Sequence, residues 1–206
     1  NGSQGETTTK DLLQHILENL GKTVAPTGNF NNELGTPITL LQCDENTKFC
    51  ILEMGARHIG DIALLCQMAK PNIGIVLRVG TAHIGEFGSA EAVAQAKSEM
   101  ISSLDPGAIA ILGQYDEFTP QMSALHKGKI ITFGETTAAD VRASDIEIRE
   151  GRPHFDLITS AGRAAVGLRL VGVHQVANAL AAAAAATAVG ASIDQIAVAL
   201  STSDIR

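Results

Sequence analysis

The chain has 206 residues, 45% of them hydrophobic and 18% charged, with a formal net charge of −7. Those values suit one sizeable globular domain and exclude a disordered chain. The acidic balance, with no cluster of Lys or Arg, also excludes the basic footprint of a nucleic-acid binder.

Residues 7–20 set Leu12, Leu13, Ile16, Leu17 and Leu20 at helical spacing, with Thr7 to Thr9 suited to a helix start and Gly21 to its stop. A short extended piece at 23–26 and a Gly- and Asn-rich loop at 27–36 follow. The apolar run 49–54 has strand length, and 60–70 reads as a helix ended by Pro71. A buried strand is predicted at 73–79, and a helix capped by Ser89 at 89–104. Strands at 108–112 and 130–133 come next. Strands alternating with helices, each strand continuously apolar, predict a parallel sheet covered on both faces.

After about residue 140 the pattern changes. Residues 141–149, 154–160 and 163–171 read as strands split by tight turns at Gly151-Arg152-Pro153 and Ala161-Gly162. Helices at 173–189, rich in Ala, and 192–200, capped by Ser192, close the chain. The fold class is therefore α/β. It is a mostly parallel sheet flanked by helices, with a small antiparallel extension at about 140–171, in one domain spanning 1–206.

Trp is absent and aromatic residues make up 3% of the chain, so the core has to be aliphatic. Cys43, Cys50 and Cys66 are odd in number and form no CxxC pair. They read as reduced, mostly buried thiols of a cytoplasmic protein, with no zinc site. No apolar run is long enough for a membrane span, so no membrane insertion is expected. No signal peptide is evident, and the abrupt Asn1-Gly2-Ser3 opening looks like an excised piece.

Five groups of residues could carry chemistry. The first is Gly2-Ser3-Gln4-Gly5-Glu6-Thr7-Thr8, a Gly-rich turn feeding a helix. Such a turn cradles phosphate through backbone N–H groups and the helix dipole. A working phosphate loop has Lys before the Ser/Thr, where Glu6 stands here. The plainer reading is a polar turn capping a helix. The second pairs Glu53 with His83, each at the C-terminal end of a predicted parallel strand, where open sheets bind ligands. They could hold Mg²⁺ or only order the loops. The third is Lys97, which could bind phosphate or be carbamylated, although an arbitrary helix lysine is more often a solvated charge.

His174 and Asn178 form the fourth group. They are four residues apart on one helix and suit a purine edge, or simply helix packing. The fifth is the loop 28–35, whose adjacent Asn31 and Asn32 offer neutral donors and acceptors to a sugar or peptide. Turn chemistry alone would also explain Gly and Asn there.

The ordered runs GSQGETTTK, GNFNNELGTPITLL, ILEMGARHIGDIA, VGTAHIGEFGS, AQAKSE and GVHQVANALAA resemble the Mur ligase family across nearly the whole chain. GNFNNELG and EMGARHIGDIA look like the branch of that family that adds D-Ala-D-Ala. The resemblance implies a P-loop-type middle domain using ATP and Mg²⁺ to join UDP-MurNAc-peptide and D-Ala-D-Ala through an acyl phosphate, in a cytoplasmic monomer. It assigns Gly2, Ser3, Gly5, Glu6, Thr7 and Thr8 to the phosphates, and His174 and Asn178 to the adenine. Thr7, Glu53, His83 and, if carbamylated, Lys97 fall to the metal. Lys97 and His83 fall to catalysis, and Asn31, Asn32, Arg57 and His58 to the peptide substrate.

Three positions depart from the family pattern. Glu6 replaces the loop lysine, Arg78 stands where Asn is usual, and Gln175 replaces a common Asn. The strand expected before the phosphate loop and the N- and C-terminal domains are also lacking, so the chain alone is expected to be inactive. Two other readings stay open. One is a non-catalytic binding or scaffold module on the same fold, motivated by Glu6. The other is a sister ligase such as a folylpolyglutamate or cyanophycin synthetase. The missing GxGxxG, with no acidic ribose partner placed as that motif expects, argues against a dinucleotide oxidoreductase.

Overall fold

The computed structural model describes residues 2–27, 32, 34–80 and 84–204, and only the backbone of residues 2–4. The elements, in order, are α1 (Gly2–Glu18), β1 (Thr23–Val24), α2 (Gly35–Leu41), β2 (Phe49–Cys50), α3 (Asp61–Ala69), β3 (Ile73–Val76), α4 (Ile84–Phe87) and α5 (Ala90–Ser102). Then come β4 (Ile109–Gly113), a 3-10 turn at Pro120–Leu125, β5 (Lys129–Gly134), β6 (Val141–Arg149), β7 (Arg152–Thr159), β8 (Gly162–Gly167), α6 (Gln175–Ala188) and α7 (Ile193–Thr202).

Six strands form one sheet in the order β3-β4-β5-β6-β7-β8. β3 to β6 pair in parallel, and β6-β7-β8 pair antiparallel. Period-2 alternation explains why the parallel strands are apolar throughout. Ile111 points into a core built with α1, α6 and α7, while its neighbours Ala110 and Leu112 point into a second core built with α5. The β6–β7 turn needs Glu150 and Gly151 at φ of 52° and 79°, a left-handed pair that glycine tolerates at no steric cost. α7 opens with a capping box in which Ser192 and Gln195 satisfy each other's backbone N–H.

α6 runs between α1 and the sheet. Ala179 to Ala184 and Ala186 are fully buried, so the small side chains set how closely the layers approach. Ala182→Leu is therefore expected to destabilise the chain by about 1–3 kcal/mol through overpacking. Urea unfolding measures this, and an unchanged midpoint would contradict the packing.

The antiparallel extension falls where the sequence predicts it. Several boundaries do not. The phosphate loop expected at 2–8 is wound into the first turns of α1, because extending a packed helix by a turn costs little once it is nucleated. The run 49–54 pairs only over Phe49–Cys50, since β1 offers it just two partners. α2 starts within the last two residues of the expected loop and runs beyond it, its start held by Asn32, whose Oδ1 accepts from Leu34 N and Gly35 N. The thiols are free, but Cys66 alone is buried, with Cys50 exposed on a two-stranded ribbon. Among the described residues no helix is long and apolar enough to cross a membrane.

β1 and β2 form a separate parallel pair. Between that pair and β3 lies an open groove of about 1340 Å³. Phe49, Ile51 and Glu53 line one wall, and Ile73, Ile75 and Leu77 the other.

Candidate functional site

Glu6, Asn32, Glu53, Arg57, His58 and Lys97 all line this groove. Each is a residue the sequence singles out, and together they come from four separate segments. The residues cluster where chain leaving β2 and β3 meets the head of α1.

Helix periodicity turns the head of α1 toward both walls. Thr7 Oγ1 donates to Glu53 Oε1 at 2.9 Å. Glu6 Oε1 accepts from Lys97 Nζ at 3.2 Å, and the same ammonium donates to Arg78 O at 3.2 Å. Lys97 is thereby fixed between two helices and the end of β3. Its side chain is 16% exposed and that of Glu6 27%. The solvated-lysine reading fails for Lys97.

Glu53 is 5% exposed, and its Oε2 is buried with no hydrogen-bond partner. Burial pushes its carboxyl above the usual range, and the nearby Glu6 charge pushes the same way. The Thr7 hydroxyl and the Lys10 charge oppose that rise. Lys10 is itself buried, donating to Pro26 O at 2.9 Å and pairing with Asp11 at 3.1 Å. It fastens α1 to the segment that leads into the loop at 27–34.

Gly5 allows α1 to approach α6 closely. A Cβ there would lie 3.2 Å from Asn178 Oδ1. Asn178, buried, donates from Nδ2 to Gln175 Oε1 at 3.0 Å, and Gln175 Nε2 lies 3.2 Å from His174 Nε2. His174 is exposed and makes no side-chain cap. His174 and Asn178 thus belong to one polar relay bridged by Gln175 rather than touching directly.

Arg57 and His58 are exposed on the turn before α3, their backbone N–H groups both donating to Asp61 Oδ2 at 2.9 Å. Those two bonds hold the Asp61 carboxyl below its ordinary range. Thr8 is half-buried. Gly2 and Ser3 begin α1 as backbone. His83 and Asn31, both singled out in the sequence, lie outside the described residues.

Two residues the sequence reading missed brace this edge. Glu99 caps α3 from α5, accepting from Gly60 N at 2.8 Å and Ala63 N at 3.0 Å. Asp116 accepts from Val79 N at 2.9 Å and from Phe118 N and Thr119 N, pinning the chain just beyond β3. Asp116-x-x-Thr119 is a turn-initiating signature and could have been read. The reach of Glu99 to another helix has no local signal. The Arg78 guanidinium, flagged as a departure, stacks 5.0 Å over the Tyr115 ring.

Among the described residues no group of three or more His, Cys, Asp or Glu is placed to hold a metal ion. Any cation here would be held by one or two carboxylates and water, which suits Mg²⁺.

A parallel α/β sheet with polar residues gathered at the C-terminal ends of its strands defines a ligand-binding domain of the open-sheet kind. The chain belongs to the Mur ligase family: residues 1–186 match its middle domain. It is 45% identical over 200 residues to the UDP-N-acetylmuramoyl-tripeptide–D-alanyl-D-alanine ligase of Mycobacterium tuberculosis, covering 97% of this chain and 39% of that protein. The chain thus spans about two-fifths of the length of that relative. A crystal structure of MurF from Acinetobacter baumannii superposes with a TM-score of 0.94 at 38% identity, over 100% of this chain and 45% of that one. MurF from Thermotoga maritima, solved in complex with ADP, superposes at 0.85 and 28% identity, over 100% of this chain and 47% of that one.

Proposed function

We propose that this chain is the ATP-handling middle part of a longer cytoplasmic, monomeric ligase that joins D-Ala-D-Ala to UDP-N-acetylmuramoyl-tripeptide in peptidoglycan precursor synthesis. The observation that carries this reading is that Glu53, oriented by Thr7, and Lys97 line one groove, in a chain 45% identical over 97% of its length to a ligase of that name. When bound, Mg-ATP supplies the phosphoryl group that activates the substrate carboxylate for attack by the amine.

The residues present fit the metal better than the nucleotide. Thr7 and Glu53 are oxygen donors already oriented on each other, and would serve Mg²⁺. Lys97 would stabilise charge on the transferred phosphoryl group. The polar relay of His174, Gln175 and Asn178 would meet the adenine, and Asn32, Arg57 and His58 the peptide substrate. Glu6 does not fit a phosphate, because it sets a carboxylate where that anion would sit. Carbamylation of Lys97 requires a neutral amine, so it would first have to break the pair with Glu6. The unmodified lysine is the form this geometry favours.

The second reading, a non-catalytic module on the same fold, rests on Glu6 alone. An assay of the full-length protein carrying Glu6→Lys separates the two. The ligase reading expects amide product and phosphate release that require ATP, UDP-N-acetylmuramoyl-tripeptide and D-Ala-D-Ala together. No product from either parent or variant would overturn it in favour of the module.

A further inference from the structure

The ladder between β3 and β4 ends at Val76 and Leu112, and the two chains then stay in contact side by side. A Cβ on Gly113 would fall 2.1 Å from the Leu77 carbonyl oxygen, so only glycine permits that approach. Two residues on, the Tyr115 ring lies under the Arg78 guanidinium. Asp116 Oδ2 then accepts from Val79 N at 2.9 Å. The Asp116 carboxylate is itself fixed. Oδ1 accepts from Phe118 N at 2.8 Å and Thr119 N at 2.7 Å, and Oδ2 also accepts from Thr119 Oγ1 at 2.7 Å. Four bonds to one half-buried carboxylate leave it little freedom to turn. Neither Tyr115 nor Asp116 lines the groove, so any effect on the site passes through the segment they hold.

Val79 N and Arg78 O belong to one peptide unit. Its N–H donates to Asp116, and its carbonyl accepts from Lys97 Nζ at 3.2 Å. The unit is planar, so fixing the direction of the N–H fixes the direction of the C=O. A carboxylate at the N–H also polarises the peptide and makes its oxygen a stronger acceptor. We propose that Asp116 is a positioning residue for the Lys97 ammonium, acting through this single peptide, with Tyr115 as a second brace on Arg78. The other acceptor of that ammonium is Glu6 Oε1. Glu6→Lys removes it, so Arg78 O then aims Lys97 without its help. The catalytic consequence rests on the ligase reading, whereas the coupling of Asp116 to Lys97 belongs to the chain itself.

Asp116→Asn is the test. It keeps the shape of the side chain, and with its oxygen on the two turn amides its NH₂ faces Val79 N–H, donor against donor. The first readout is nuclear magnetic resonance of the 206-residue chain with lysine labelled at Cε, the Lys97 signal being assigned by its loss in Lys97→Met. Asp116→Asn should move that signal and loosen the side chain, more so in the Glu6→Lys chain, while lysines elsewhere stay put. Tyr115→Leu should move the same signal less, and it serves as the variant if Asp116→Asn fails to fold by circular dichroism. A Lys97 signal unmoved in a folded variant overturns the proposal. The second readout is kinetic, in the full-length Glu6→Lys ligase. Asp116→Asn should lower kcat by about 10–10²-fold and change KM for ATP less than about threefold. With Lys97→Met already present, the further fall should be under about twofold, because the group being aimed is gone. An equal fall with and without Lys97 marks a merely structural role and also overturns the proposal. No activity in the Glu6→Lys reference contradicts the ligase reading instead, and the Lys97 signal then decides the proposal alone.

Discussion

Replacing Glu6 by lysine in the full-length ligase is expected to raise kcat/KM for ATP by roughly 10³-fold, the largest single effect this structure predicts. The effect is electrostatic. One unit charge about 4 Å from another contributes about 4 kcal/mol at an effective dielectric of 20, and the substitution turns a repulsion into an attraction. Partial exposure of Glu6 discounts that sum, and about 4 kcal/mol, or a factor of 10³, is what survives screening. The gain should shrink as ionic strength rises. In the absence of nucleotide the same variant should be slightly less stable, because Lys97 trades a carboxylate for a like charge. Steady-state kinetics at two salt concentrations measure the first effect. A change of less than about threefold would contradict the placement of residue 6 against the phosphates.

Lys97→Met in that Glu6→Lys background is expected to lower kcat by about 10²–10³-fold while changing KM for ATP far less. Lys97 is aimed by two contacts, Glu6 Oε1 and Arg78 O, and its side chain is only 16% exposed in the middle of α5. Methionine keeps the stem and removes the ammonium, so loss of packing cannot account for the result. An equal fall in kcat/KM with unchanged kcat would assign Lys97 to ground-state binding instead. Lys97→Arg should recover little, since a planar guanidinium does not reproduce a point charge between those two oxygens.

Much of the fold is written locally. The turn at Glu150-Gly151, the Ser89 and Ser192 caps and the double-faced apolar strands all follow from residues a few positions apart. What the local pattern misjudged is what depends on neighbours. FCILEM has the composition of a buried strand, yet only Phe49 and Cys50 find a ladder partner. The head of α1 has the glycines of a loop and the hydrogen bonding of a helix.

The site divides the same way. Thr7, Glu53 and Lys97 could be named from the order of motifs, and the contact of Thr7 with Glu53 spans 46 positions that no periodicity links. Glu99 and Lys10 escaped notice because an acid or base bonded to distant backbone looks, in sequence, like any other surface charge. Arg78 was legible only as a departure. The structure shows its carbonyl receiving Lys97 while its side chain lies on Tyr115.

The central claim is that residue 6 sets the sign of the site at the head of α1. Calorimetric titration of Mg-ATP into the 206-residue chain and into its Glu6→Lys variant tests it most directly. The account predicts little or no binding by the parent and clear one-to-one binding by the variant. Parent binding as tight as that of the variant would contradict it.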